Sequence, residues 1–405
     1  MLGGMGAPTH DELLTSRQAA ERLGVKLTTL YAYVARGLIR QVDGADGARK
    51  TPRPQAQRYA ASEIESFMAR RRWARRVIAS AVSSTDGGRL LYRGHDAVDL
   101  AERARFEQVA ALLWRGELPA EPPRWAEVDR AAVAPAIRTA RALGAPAALL
   151  VPMLVLALAP ADPDRAGRGA AGVAAAGERL VTRLVAAYAG ATGGDQAGAS
   201  RGPMAARVLA ALGAHATPEA VRVAERALVL SAEHELNAST FAARVAASTG
   251  ADVYAVLAAA ASTLGGPKHG GMTGVVEAVL ARGDRDEGTS HLPGFGHPLY
   301  PRGDPRARPL LEAARAHAAR GSRRRELAAV LARVDALAAR RGPPPTIDAG
   351  LVATACALDL PRGAAAVLFA FGRTAGWIAH AIEQYAMGEL IRPRARYVGA
   401  RPEGA

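Results

Sequence analysis

Apolar positions at helical spacing run through almost the whole chain. Near the N-terminus, Ala19, Ala20, Leu23, Val25, Leu30 and Val34 form the apolar side of two short segments. Thr15-Ser16 opens the first, over Arg17–Leu23, and Gly24 closes it; Thr28 opens the second, Thr29–Ala35, which stops at Gly37. A hydroxyl residue before a periodic apolar run and a glycine after it are helix start and stop signals. Strand-like runs are few and short; Leu38–Val42 and Gln57–Tyr59 read as two of them, on either side of the Gly/Pro/Arg-rich stretch Asp43–Gln55. Ser62 then begins a helix that runs through Ile64 and Phe67 into Arg70-Arg71-Arg72. From Ser80 onward the pattern predicts helices almost throughout, which disfavours a sheet-centred α/β enzyme.

Four later stretches refine this picture. Ala147–Ala161 is very apolar, but Pro146, Pro152 and Pro160 punctuate it, and it is shorter than the roughly 20 residues of a spanning helix. It reads as a buried core helix. Ala161–Gly177 and Ala191–Gly202, rich in Gly and Ala, read as flexible joints. Ser322–Arg341 interleaves basic residues with Leu and Val, the pattern of an amphipathic surface helix, and Pro343-Pro344-Pro345 ends it.

Composition supports a helical globular chain. Apolar residues make up 49%, charged residues 22% and aromatics 5% of 405 residues. A core built from Ala, Leu and Val favours helices, since strands prefer β-branched and aromatic residues. The net charge is +14, and of the 52 basic residues only Lys26, Lys50 and Lys268 are lysines. Residues 1–75 carry 13 basic and 7 acidic residues, so net positive charge per residue is about three times denser there than in the remainder, which fits phosphate binding. Cys356 is the single cysteine, so an intramolecular disulfide is excluded and a thiolate metal site is disfavoured. The N-terminus lacks a charged-then-apolar signal pattern. A cytoplasmic protein without a membrane partner is expected.

The chemistry concentrates between His234 and Arg306. His234 stands in HELNAST, His269 in GGPKHGG and His297 in GFGHP, followed by Asp304-Pro305-Arg306. Histidine donates, accepts or carries a proton near neutral pH. Several in glycine-bearing or polar contexts, with an arginine beside them, point to a site for a small anionic carbonyl compound.

Two resemblances follow from these motifs. Residues 1–75 resemble helix-turn-helix domains of the MerR/excisionase type, with helix, Gly turn, second helix and wing in order. The resemblance implies that the second helix enters a DNA major groove, with Lys26, Thr28, Thr29, Tyr31 and Arg36 as contacts and the wing arginines Arg49, Arg53 and Arg58 meeting phosphates.

Residues 76–405 resemble citrate synthase and its relatives. The carrying motifs are LLYRGHD at 90–96, LLWRGELP at 112–119, HELNASTF from 234, GGPKHGG at 265–271, GFGHPLYPRGDPRA at 294–307, IDAG at 347–350, FGRTAGWIAHAIEQ at 371–384 and IRPRARYVG at 391–399. Their number and order make the match specific. The resemblance implies a mainly α, two-domain helical fold, with a small closing subdomain at about 240–345, and a homodimer whose sites are completed across the interface. It implies condensation of acetyl-CoA with oxaloacetate, without a metal or bound redox cofactor. Asp348 is implied as base, His269 as donor to the thioester oxygen and His297 as donor to the ketone. His234, Arg306, Arg373 and Arg392 are implied to hold carboxylates, with Arg392 reaching in from the other subunit. Lys268 and Arg302 are candidates for CoA. His95, His291 and His380 read as structural.

Departures from the family pattern cluster beside these residues. Lys268 stands where an aliphatic residue is usual, Pro298 replaces an arginine, Ala349-Gly350 replace an aromatic-containing sequence, and Met272-Thr273-Gly274 replace Ala-Asn-Glu. They bear on substrate choice more than on reaction class. 2-Methylcitrate synthesis, citryl-CoA cleavage, and a DNA-binding regulator that senses acyl-CoA, oxaloacetate or citrate are the alternatives.

Overall fold

The structure, a computed structural model, describes residues 13–35, 39, 42, 58–61, 63, 64, 67 and 78–393 with 399, apart from 145–146, 168, 283–291, 318–322 and 341. The chain divides into two units, Met1–Ala79 and Ser80–Ala405.

In the first unit, helix α1 (Ser16–Leu23) begins on a reciprocal cap. Thr15 Oγ1 accepts from the Gln18 backbone N–H, and Gln18 Oε1 accepts from the Thr15 N–H. Gly24, at φ 64°, ends the helix in the left-handed region that a side chain disfavours. Helix α2 (Leu27–Ala35) follows. Leu14, Ala19, Ala20, Leu23, Leu30, Ile39, Tyr59, Ile64 and Phe67 pack into one small core.

Of the two expected strands, the second is present, at Arg58–Ala60, while most of Leu38–Val42 lies outside the described residues. Strand β1 (Leu13–Thr15) pairs antiparallel with β2 (Arg58–Ala60), and Val42 contributes a single bridge to Arg58. Among the described residues, the second expected strand thus also pairs with the segment before α1, which is too short to show alternation. Lys26 and Thr28 are exposed, while Thr29 and Tyr31 are partly so. Arg36, Arg49, Arg53 and Arg70-Arg71-Arg72 lie outside the described residues.

The second unit starts with a small antiparallel meander, β3 (Ser83–Ser84), β4 (Leu91–Tyr92) and β5 (His95–Asp96). Helices then follow in order: α3 (Ala97–Arg103), α4 (Phe106–Arg115), α5 (Arg130–Leu143), α6 (Ala147–Leu158), α7 (Gly169–Thr192), α8 (Gln196–Ala199), α9 (Met204–Ala211) and α10 (Pro218–Ser231). Next come α11 (Ala238–Ser248), α12 (Val253–Leu264), α13 (Met272–Arg282), α14 (Ala307–Ala316), α15 (Arg324–Ala339), α16 (Ile347–Ala357) and α17 (Ala364–Met387).

Two expectations are corrected. The first Gly/Ala-rich joint is mostly helix: α7 begins at Gly169 and passes through Gly177. A Cβ on Gly177 would lie 2.9 Å from Ile378 Cδ1, so close packing on α17 overrides the low helix propensity of glycine. The apolar helix α6 is buried on one side only, with Leu149 56% and Leu156 55% exposed. As expected, α15 buries a single apolar side, through Leu327 and Val330.

Helix α17 is the axis that positions the site. It is long and apolar enough to cross a membrane by composition, but 94% of its most apolar window is buried inside this fold. Gly372 and Gly376, one turn apart, let its backbone rest on the end of α10 and the residues after it. A Cβ at Gly372 would lie 2.7 Å from the Leu228 carbonyl oxygen; one at Gly376 would lie 2.4 Å from that of Ala232. Between them Arg373 is turned inward. Gly376→Ala is therefore expected to destabilise the unit by about 3 kcal/mol through overpacking. A melting curve checks this, and an unchanged midpoint would show that α17 can back away at little cost.

Candidate active site

Each site residue is delivered by a local device. His234 follows α10, next to Glu235, whose φ of 51° is unusual for a side-chain-bearing residue. Asn237 then caps α11, its Oδ1 accepting from the Thr240 N–H at 3.0 Å. His269 sits in the turn between α12 and α13, where Gly270 and Gly271 permit a tight return. A Cβ on Gly271 would lie 2.6 Å from the Gly265 carbonyl oxygen.

The loop carrying His297 is pinned to the loop before α16. Gly296 N–H donates to the Pro344 oxygen at 2.8 Å, and Thr346 N–H to the Gly294 oxygen at 2.9 Å. The proline run thus pairs with the GFGH segment and brings Asp348 towards His297. Thr346, not Asp348, caps α16: its Oγ1 accepts from the Asp348 N–H at 3.3 Å and donates to Asp348 Oδ2 at 3.1 Å. The other oxygen, Oδ1, is buried without a hydrogen-bond partner among the described residues. Burial raises this carboxyl from 3.8 to about 6.

These pieces meet in one cleft of about 500 Å³, lined by His234, Lys268, His269, His297, Arg306, Asp348 and Arg373 among others. Its size is that of a small-ligand site. Burial, assisted by Arg373 and Arg306, lowers His269 to about 4. Burial, with the same two arginines, holds His234 well below its usual value, and burial with Arg306 lowers His297. All three imidazoles are neutral at pH 7.

The two arginines are held differently. Arg306 makes a fork to Asp304, Nε to Oδ1 at 2.9 Å and Nη2 to Oδ2 at 2.8 Å. Asp304 Oδ2 also accepts from the Ile347 N–H at 3.0 Å, so the pair is tied to the start of α16. Arg373 donates from Nε to the Ser231 oxygen at 2.6 Å and lies 4.9 Å from the Phe369 ring centre. Both of its terminal nitrogens are buried with no partner among the described residues. Burial pushes this guanidinium down to about 10. A buried cation with two unfilled donors is costly unless an anion completes it.

Behind the histidines lies a proton-ordering layer. Trp377 Nε1–H donates to Ser239 Oγ at 3.1 Å, and Ser239 Oγ lies 2.8 Å from both His269 Nε2 and Asn237 Oδ1. Indole can only donate, so the single hydroxyl proton of Ser239 chooses between the other two. When it points at His269 Nε2, the neutral ring carries its own proton on Nδ1. For His297, the Leu299 backbone N–H donates to Nδ1 at 3.2 Å, which places the ring proton on Nε2.

Arg302 and Arg392 are exposed and do not line the cleft of this chain. Lys268 is exposed at its wall. His380 is buried away from the cleft, with Nε2 3.1 Å from Glu233 Oε1 and Nδ1 3.2 Å from Arg244 Nη1; His291 lies outside the described residues. Ser239, Tyr300, Phe369 and Trp377 escaped sequence reasoning as site-shaping residues. All four lie inside the quoted motifs or next to them, which was the available signal.

A neutral donor set, a buried carboxylate and an arginine with two unfilled donors form an arrangement able to abstract a proton and bind carboxylates, in an almost wholly helical body. Comparison with known proteins agrees. The family described as citrate synthase, C-terminal domain, matches residues 73–394. "Citrate synthase 2" of Bacillus subtilis is 32% identical over 345 residues, covering 79% of this chain and 93% of that protein. "2-Methylcitrate synthase 2" of Corynebacterium glutamicum is also 32% identical, covering 76% and 88%. The solved ternary complex of Thermoplasma acidophilum citrate synthase with carboxymethyl coenzyme A and oxaloacetate is similar at a TM-score of 0.64 and 25% identity, covering 81% of this chain and 95% of that one. The chain belongs to the citrate synthase family.

Proposed function

We propose that the protein condenses acetyl-CoA with oxaloacetate and hydrolyses the resulting thioester to citrate and CoA. The observation that carries this reading is the pair of unfilled terminal nitrogens on buried Arg373, facing the same cleft as the unpaired oxygen of Asp348.

Asp348 removes a proton from the thioester methyl, breaking a C–H bond, while the His269 ring, with its proton on Nδ1 when Ser239 donates to Nε2, donates to the thioester oxygen as the enol forms. A neutral donor is suited to this because it shares charge without first losing a proton. The enol carbon attacks the ketone of oxaloacetate, and His297 Nε2–H donates to the oxygen that becomes the hydroxyl. Preorganised donors of this kind lower barriers by about 3–4 kcal/mol. Arg373, Arg306 and His234 hold the carboxylates, and planar guanidinium forks match them. Water then cleaves the thioester. Lys268 and Arg302 would meet CoA phosphates, and the stretch 240–345 would close over the reactants. Propionyl-CoA in the same place gives 2-methylcitrate. Measured release of CoA from acetyl-CoA, with propionyl-CoA in parallel, tests the reading.

Two features support assembly as a homodimer. Helix α6 leaves Leu149 and Leu156 exposed, and Arg392 is exposed after α17, where it can serve a neighbouring subunit's cleft. For the N-terminal unit we propose DNA binding. Two helices join through the left-handed Gly24, with Lys26 exposed just before the second and Thr28 exposed in its first turn. Affinity for duplex DNA is expected to fall steeply as salt rises, because phosphate contacts release counterions. Binding that ignores salt, or none at all, would make the unit structural.

A further inference from the structure

One four-residue turn controls two of the three histidines. His297, Pro298, Leu299 and Tyr300 form a β-turn closed by the Tyr300 N–H donating to the His297 oxygen at 2.9 Å. Proline at the second position presets its backbone angle, which gives Pro298 a conformational reason to be there. The Leu299 N–H inside the turn fixes the His297 ring. At its end, the Tyr300 hydroxyl reaches across to His234, 2.9 Å from Nε2. The three rings form one cluster, with centres 5.5 Å apart for His234–His297, 5.1 Å for His297–Tyr300 and 5.5 Å for His234–Tyr300.

We infer that Tyr300 is a positioning residue whose hydroxyl donates to Nε2 of His234 and so keeps the His234 proton on Nδ1, the atom that faces the cleft. This deepens the proposed function, on which its substrate side rests. Tyr300 is 2% exposed, and His234 is the one hydrogen-bond partner of its hydroxyl among the described residues. A buried hydroxyl proton needs an acceptor, and Nε2 is the acceptor within reach. Were Nε2 to carry a proton and donate to Tyr300 instead, the phenol proton would have nowhere to go. His234 lines the cleft, and its Nδ1 is not among the buried polar atoms left without a partner, so Nδ1 is the ring atom open to ligand. A lone pair there would repel a carboxylate; an N–H binds it.

The surroundings reinforce the direction of donation. Burial pushes the Tyr300 phenol up to about 12, so it keeps its proton at neutral pH. The Arg306 guanidinium carbon lies 5.9 Å from the Tyr300 ring centre, so the ring also packs beside this arginine. Tyr300 does not itself line the cleft, so its effect passes through His234.

Two measurements test the inference. In Tyr300→Phe, which keeps the ring and loses the donor, the KM for oxaloacetate is expected to rise about tenfold, the scale of one lost hydrogen bond to a charged group, with kcat changed far less. An unchanged KM, or a loss confined to kcat, would overturn it. Nitrogen-15 spectroscopy of the histidines in the unsubstituted protein gives the second readout, independent of the variant's folding. Protonated Nδ1 and unprotonated Nε2 in His234 are expected, and the opposite tautomer would overturn the inference. If the unsubstituted protein neither binds nor turns over oxaloacetate, the proposed function fails; the tautomer of His234 still decides the role of Tyr300.

Discussion

Asp348→Asn is expected to lower kcat by about a thousandfold, within the range for loss of a general base, and at the same time to make the protein more stable. Both effects come from one cause. The carboxylate is buried with Oδ1 unpaired, and burial raises its pKa from 3.8 to about 6. The folded state therefore holds this proton more tightly than the unfolded chain. Its contribution to stability is complete below the unfolded value and is lost as pH rises through about 6. At neutral pH the ionised group costs about 2–3 kcal/mol. Asparagine has no charge to desolvate and can keep the contact with Thr346. The variant should thus melt higher than the parent near neutral pH, and the difference should vanish in acid. In the unsubstituted enzyme, kcat/KM should rise with pH through about 6 as the base ionises. Activity within tenfold of the parent, or a variant that melts lower at neutral pH, would remove Asp348 from this role.

Arg373→Met carries the second large effect. Methionine fills a similar volume without charge, and replacing an incompletely paired buried cation by an apolar side chain relieves its desolvation. The empty protein should be at least as stable as the parent. Oxaloacetate affinity should fall on the order of a hundredfold or more, the scale for removing one partner of a buried charge pair. Calorimetric titration measures this directly. Added oxaloacetate should raise the melting temperature of the parent through linkage and leave that of the variant nearly unchanged. A variant that is less stable when empty would mean that Arg373 holds the fold rather than the ligand.

The site residues were legible in the sequence to an uneven degree. His234, His269, His297, Arg306, Asp348 and Arg373 stand in contiguous motifs because turns and helix starts place them, and turns leave glycine, proline and capping residues behind. Tyr300 and Ser239 were not legible as site-shaping residues. Tyr300 acts on a histidine 66 positions earlier, and Ser239 on one 30 positions later. No local pattern encodes such a contact. The fold shows the same division. Thr15, Gly24 and Asn237 act locally as caps or turns, whereas β1 becomes a strand through its partner at Arg58–Ala60. Gly177 looked like part of a joint because its packing partner in α7 is Ile378, more than 200 residues away.

Lys268 and Pro298 also separate under structural scrutiny. Pro298 belongs to the turn that presents His297 and Tyr300, so its presence is conformational. Lys268, exposed at the cleft wall directly before His269, leaves the acyl-CoA as the open element of specificity.

The central claim is that this cleft joins an acyl-CoA to oxaloacetate. It is tested most directly by following free CoA when the full-length protein is given acetyl-CoA with and without oxaloacetate. CoA release that requires oxaloacetate, and is abolished in Asp348→Asn, is the predicted result. No release with acetyl-CoA or propionyl-CoA, from a folded protein that binds oxaloacetate, would contradict it.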